Sequence, residues 1–174
     1  MGDVMDFARK EPEPRQSHGA RNAHANPAPE FRTLEATECE QILSRGHVAR
    51  IAYSFHDKID IEPVHYVYDS GSMFGRTSPG AKLATLMHNP WVAAEVDEVN
   101  GLFDWRSVVV HGSLHIVSPD VPGAEAAAWA RGIELLRTLI PETGTADDPV
   151  RFRSTVFQIH VETMSGRTAR PGNR

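Results

Sequence analysis

Residues 58–68 (Lys-Ile-Asp-Ile-Glu-Pro-Val-His-Tyr-Val-Tyr) alternate with a period of two, and Asp69-Ser70-Gly71 then turns the chain into a second apolar run at 72–76. Alternation at that period is the pattern of a β-strand. A short glycine-containing turn between two such runs marks a hairpin. Ile59, Ile61, His65 and Val67 share one face; Asp60, Glu62, Val64, Tyr66 and Tyr68 share the other. His65 is expected on the inward face. Pro63 has no N–H to give a ladder, so an edge or a bulge is expected there. Strands joined by tight turns exclude a doubly wound parallel sheet, whose connections are long crossovers.

The rest of the chain extends the same pattern. Further strands are expected at 47–54, 91–96, 105–117 and 155–161. Gly112 interrupts the third of these and predicts a bulge or a close approach by backbone or ligand. Asn100-Gly101 reads as a turn. Thr37 and Glu40 match a capping box for a short helix at 38–45 with Gly46 as its stop. A second helix is expected from Ser78 (N-cap) and Pro79 (first position) to Asn89-Pro90, with Leu83, Leu86 and Met87 at helical spacing. A third, at 122–139, carries Trp129, Ile133, Leu136 and Ile140 on one stripe. Residues 141–149 read as a loop. Residues 1–31, with Pro12, Pro14, Pro27 and Pro29 and few apolar residues, read as a tail. Residues 164–174 read as basic and tail-like, the last four lying beyond a domain that spans 32–170. The fold class is therefore mostly β (α+β): about six antiparallel strands with inserted helices, closed into a small barrel that hides its edges.

Composition removes several function classes. The formal net charge of −5 does not suggest a nucleic-acid partner. No apolar run is long enough to span a bilayer, and the N-terminus lacks the apolar core of a signal peptide, so a cytoplasmic protein without a membrane partner is expected. Cys39 is the single cysteine, which excludes an intramolecular disulfide and a cysteine-based metal cluster. Of nine histidines, His111 and His115 stand roughly 13 Å apart on one strand. They cannot share one ion within a subunit, and no metal site is expected. Ser107 has no paired histidine and acid, so it does not read as a hydrolase nucleophile.

The turn at 76–82 carries the most suggestive chemistry. Arg76, Thr77, Ser78 and Lys82 place two cations and two hydroxyls at the start of a helix, where unpaired N–H groups and the positive end of the dipole also face outward. Such an arrangement suits a phosphate. It is neither a Walker loop nor a Rossmann fingerprint.

Several blocks together resemble the FMN-binding split-barrel family, often called pyridoxamine 5′-phosphate oxidase-like. They are Gly46-His47-Val48-Ala49-Arg50-Ile51-Ala52, Ile61-Glu62-Pro63-Val64-His65-Tyr66-Val67-Tyr68, Arg76-Thr77-Ser78 with Lys82, and Asn89-Pro90-Trp91-Val92. Ser107-Val108-Val109-Val110-His111-Gly112 and Ser165-Gly166-Arg167 follow in order. Within the family the chain is most similar to the branch of nitroimidazole-resistance-like proteins. The resemblance implies a six-stranded split barrel and a homodimer with two flavin sites at the subunit interface. It implies that Arg76, Thr77, Ser78 and Lys82 hold the phosphate of FMN and that Pro63, Val64 and His65 line its ring. Trp105 and Ser107 are expected to approach the ring from another strand, across the dimer, and Arg50 is the nearest further basic residue. Two departures narrow this. Nitroimidazole-resistance proteins carry a histidine near the position of Arg76, and true pyridoxamine-phosphate oxidases carry a longer C-terminal block with Trp and paired basic residues. Vitamin B6 oxidation is accordingly not expected. The expected function is a flavin-dependent oxidoreductase passing hydride from a nicotinamide donor to a small acceptor. The alternatives are a deazaflavin-dependent relative and a non-enzymatic flavin- or haem-binding module, the latter using His65 or His160.

Overall fold

The computed structural model describes residues 28–172 except 57, 81–85 and 87. Along the chain come β1 (Glu30–Leu34), α1 (Ala36–Arg45), β2 (Val48–Phe55), β3 (Lys58–Asp69), β4 (Ser72–Thr77), β5 (Trp91–Gly101), β6 (Asp104–Val117), α2 (Ala124–Leu136) and β7 (Thr155–Arg170). All pairings are antiparallel, in the order β1-β7-β4-β3-β2-β5-β6, and β6 also pairs with β7. The sheet thus closes into a six-stranded barrel, with β1 added outside the ring on the far end of β7.

Six strands were expected, and the described residues form seven. β1 begins at Glu30, inside the expected tail, because Glu30–Leu34 pairs with Gly166–Arg170. The expected basic tail at 164–174 is likewise corrected. β7 runs unbroken to Arg170, since it has β6 on one side and then β1 on the other to satisfy its backbone groups. The Asn100-Gly101 turn is also displaced. Gly101 still pairs with Asp104, which puts Leu102-Phe103 at the hairpin tip. The capping box uses Glu35 and Glu38 rather than Thr37 and Glu40. The Glu35 N–H donates to Glu38 Oε2 at 3.0 Å, and the same carboxylate holds Arg32. Gly46 ends α1 with an ordinary negative φ, so it is there for room. A Cβ would lie 2.6 Å from the Tyr66 hydroxyl and 2.7 Å from Val96 Cγ1.

The Ser70-Gly71 turn is as expected. Both residues have positive φ (47° and 79°), the geometry of the two-residue turn that matches strand twist. Inside the barrel lie Ile51, Val64, Tyr66, Met73, Val96, Val108, Val110, Phe157 and Ile159. α1 plugs one end with Cys39, Ile42 and Leu43. Tyr66 is fully buried and donates its hydroxyl to the Leu43 carbonyl at 2.8 Å, tying plug to barrel. α2 covers the outside with Ile133 and Leu136 against Val117 and Val156, with Val67 and Trp129 packed beside them. Gly112 sits at a register shift between β6 and β7, and a Cβ there would come 2.0 Å from the His160 carbonyl oxygen. The close approach is therefore by backbone.

The period of two in β3 is correct, but the inward face is the other one. Val64 and Tyr66 point in, while Ile59, Ile61 and His65 are exposed. Both faces carry apolar residues, so alternation alone does not choose between them. Among the described residues no helix is long and apolar enough to cross a membrane.

Candidate functional site

The site arises where two strands part. β3 pairs with β4 only from Tyr66↔Gly75 to Asp69↔Ser72. Before Tyr66, β3 follows β2 alone; after Gly75, β4 follows β7 alone, with Arg76↔Val156 and Thr77↔Thr155. Gly75 stands at the fork, where a Cβ would lie 2.3 Å from Phe157 Cζ and 2.7 Å from the His65 carbonyl oxygen. Pro63 falls on the unpaired side, where its missing N–H costs nothing.

Beyond the fork is a cleft of about 370 Å³. Glu62, Pro63 and Val64 form one bank, Arg76, Thr77, Ser78 and Gly80 the other, and Phe152 and Arg153 close it. Five of the expected residues are thus brought together. Arg76 is only 8% exposed, and its guanidinium binds Asp148 through both terminal nitrogens. Asp148 also accepts the N–H groups of Gly144 (2.9 Å) and Val150 (3.0 Å). The arginine, then those backbone donors, hold its carboxyl well below the usual carboxylate range, against the opposing effect of burial. Across the cleft, Glu62 accepts the Tyr53 hydroxyl at 2.8 Å. Burial and that carboxylate push the Tyr53 phenol up to about 12.

His65 lines a separate, adjoining cavity of about 210 Å³ with His47, Leu136, Leu139, Ile140 and Val150, and Arg76 and Arg153 line both spaces. Arg153 Nη1 lies 3.3 Å from His65 Nδ1. A guanidinium only donates, so Nδ1 is the acceptor in this contact.

Trp105 and Ser107 line a third cleft, of about 380 Å³, with Glu95, Asp97, Arg106 and Arg167 among its walls. Ser107 donates to Glu95 Oε1 at 2.9 Å. Arg50 is exposed and reaches this cleft only through Asp97, at 2.5 Å. Lys82 lies outside the described residues. Of the two histidines considered for haem, both are exposed, and His160 packs edge-on to His115 with ring centroids 5.4 Å apart.

Arg153, Phe152 and Asp148 were not anticipated. All lie in the irregular connection between α2 and β7, where no periodicity marks a side chain as facing a site. The available signal was indirect: Asp148 precedes a proline in a turn-rich stretch, and a strand arginine flanked by buried residues needs a carboxylate from somewhere.

The family model described as pyridoxamine 5′-phosphate oxidase matches residues 35–168. The chain belongs to this family. Its barrel is similar to that of solved pyridoxamine 5′-phosphate oxidase-like structures. A FAD-binding protein from Mesorhizobium loti is 28% identical, over 79% of this chain and 96% of that one, with a TM-score of 0.63. A FAD- and heme-binding protein from Mycobacterium smegmatis is 15% identical, over 82% and 76% of the two chains, with a TM-score of 0.61. An uncharacterized protein of Rhizobium meliloti (strain 1021) is 30% identical over 81 residues. That match covers 47% of this chain and 54% of the other, so the chain spans about half the length of this relative.

Proposed function

We propose that this member of the pyridoxamine 5′-phosphate oxidase-like family is a cytoplasmic flavin-nucleotide-binding oxidoreductase, working as a homodimer between a nicotinamide donor and a small acceptor. The observation that carries the reading is the cleft at the fork of β3 and β4. Its donors fit the polar end of a flavin nucleotide: the Thr77 and Ser78 hydroxyls and the Arg76 guanidinium, with the exposed Gly80 beside them. Its other bank, Pro63 and Val64, offers the apolar wall that a planar ring requires. At about 370 Å³ the cleft falls within the range of roughly 300–1,000 Å³ usual for cofactor sites. Arg76 is already neutralised by Asp148, so the Thr77 and Ser78 hydroxyls carry the polar contact on this bank. When bound, a flavin supplies the hydride chemistry itself; the chain's part is to hold, orient and shield it. The M. loti relative's description as FAD-binding supports a flavin, with FMN the expectation from the residues at 76–82.

The dimer is part of the same proposal. On the outer face Ile61 pairs with Ala52 and Ala52 with Ala93, a low row crossing three strands, and Ile59, Ile61 and Val48 are largely exposed. Pairing such faces would bring the Trp105–Ser107 cleft of one protomer toward the fork of its partner.

The test is the visible spectrum of freshly purified protein, with mass analysis of what denaturation releases. A flavin spectrum with FMN or FAD released is expected, and Thr77→Val with Ser78→Ala lowers its retention. A deazaflavin or a Soret band would replace the flavin reading, and a colourless protein that binds no added flavin would remove it.

A further inference from the structure

We infer that the 210 Å³ cavity beside the flavin cleft is a separate binding site for a small apolar carboxylate. Its walls divide sharply. Leu136, Leu139, Ile140 and Val150 make one side apolar, while His47, His65, Arg76 and Arg153 bring the polar groups. A cavity of about 150 Å³ accepts benzene, so this one has room for a ring or short branched chain bearing one carboxyl.

The charge balance selects a single anion. Two arginines line the space, but Arg76 is paired with Asp148, and no carboxylate residue is among the described walls. Arg153 is left as the net charge, half-buried, its Cζ 5.8 Å from the Phe152 ring centroid. Its guanidinium has a planar fork that matches a carboxylate. His65, which accepts from Arg153 at Nδ1, lines the same wall and adds an imidazole to it. A neutral ligand of the same shape would leave the arginine without its counter-charge, and an ammonium ligand would be repelled. Because Arg76 and Arg153 also line the flavin cleft, a molecule held here lies next to the bound cofactor. As the substrate class of the oxidoreductase, small apolar carboxylates rest on the flavin reading; as the ligand of this cavity they do not.

The experiment titrates benzoate, and benzamide as its neutral counterpart, into flavin-free protein by calorimetry, then into flavin-loaded protein while the flavin spectrum is followed. Saturable benzoate binding is expected, at least tenfold tighter than benzamide, and at least tenfold weaker in Arg153→Met. Leu139→Trp, which fills the cavity from the loop, should abolish it; Val150→Phe does the same from another wall should the first fail to fold. Absence of benzoate binding, equal binding of benzamide, or binding unchanged in a folded Leu139→Trp or Val150→Phe protein would overturn the assignment. The last result would place benzoate in the neighbouring cleft. A protein that binds benzoate as expected but takes up no flavin keeps the site and loses the flavin reading. One that holds flavin but no benzoate keeps the flavin and loses the site. A benzoate-induced shift of the flavin spectrum in the parent supports their adjacency.

Discussion

Asp148→Asn tests the structural premise on which the cleft depends. The substitution keeps the side chain's size and removes its charge and one acceptor oxygen. In the parent, the two carboxylate oxygens serve four donors: both terminal nitrogens of Arg76 and the N–H groups of Gly144 and Val150. An amide nitrogen cannot accept, so on either rotamer one backbone N–H loses its partner and Arg76 is left 8% exposed without a counter-ion. Removing one partner of a buried pair costs roughly 3–5 kcal/mol. The amide retains part of the network, so about 2–4 kcal/mol is expected. At roughly 2–4 °C per kcal/mol for a chain of this size, the melting temperature falls by about 4–16 °C. The pH dependence gives an independent check. Asp148 has a folded pKa depressed below its unfolded value. Its contribution is therefore complete above the unfolded value, about 3.9, and is lost as pH falls through the folded one. Urea unfolding followed by tryptophan fluorescence should show a clear gap between parent and variant at pH 7 that narrows by pH 3. A loss under about 1 kcal/mol at pH 7, or a gap of equal size at both pH values, would refute the reasoning.

Other consequences are open to direct measurement. Gly112→Ala places a methyl 2.0 Å from the His160 carbonyl oxygen and must separate β6 from β7. Its cost should exceed the roughly 1–3 kcal/mol of ordinary overpacking, because backbone rather than a side chain must yield; chemical denaturation reads it, and a variant as stable as the parent would contradict the register. Tyr66→Phe leaves the Leu43 carbonyl without its 2.8 Å donor inside the barrel and should cost about 1–2 kcal/mol with no change in flavin content. Ile61→Glu puts a charge in the middle of the Ile61–Ala52–Ala93 row, and light scattering should then report monomer where the parent gives dimer. A dimer persisting in that variant would move the interface elsewhere.

Much of the barrel was legible because its signals are local. A two-residue hairpin turn at Ser70-Gly71 requires positive φ, which glycine takes without steric cost, and Gly112 next to a valine run marks a place where a side chain's room is missing. Thr77 and Ser78 follow directly from the strand that the hairpin turn starts, so their place on one bank could be counted from the sequence. His65 could not be placed that way. Its strand has apolar residues on both faces, and only the closure of the ring, with α1 plugging it and α2 covering Val67, makes Val64 and Tyr66 the inner set. The C-terminal segment was misread for a related reason: Ser165 to Arg170 looks polar and basic, yet it is a paired strand because β1 and β6 flank it.

By itself the sequence determined the antiparallel hairpins, the turn residues and the hydroxyl-rich end of β4, since each depends on residues near one another in the chain. Tertiary structure alone decided which face of β3 looks inward and where β3 and β4 part. It also decided that Arg76 meets Asp148, seventy-two positions on, rather than water, and that Arg153 stands between two cavities. Those outcomes depend on closing the barrel and folding the 137–154 loop over its split. A contact made across such a distance leaves no period in the sequence from which to read it.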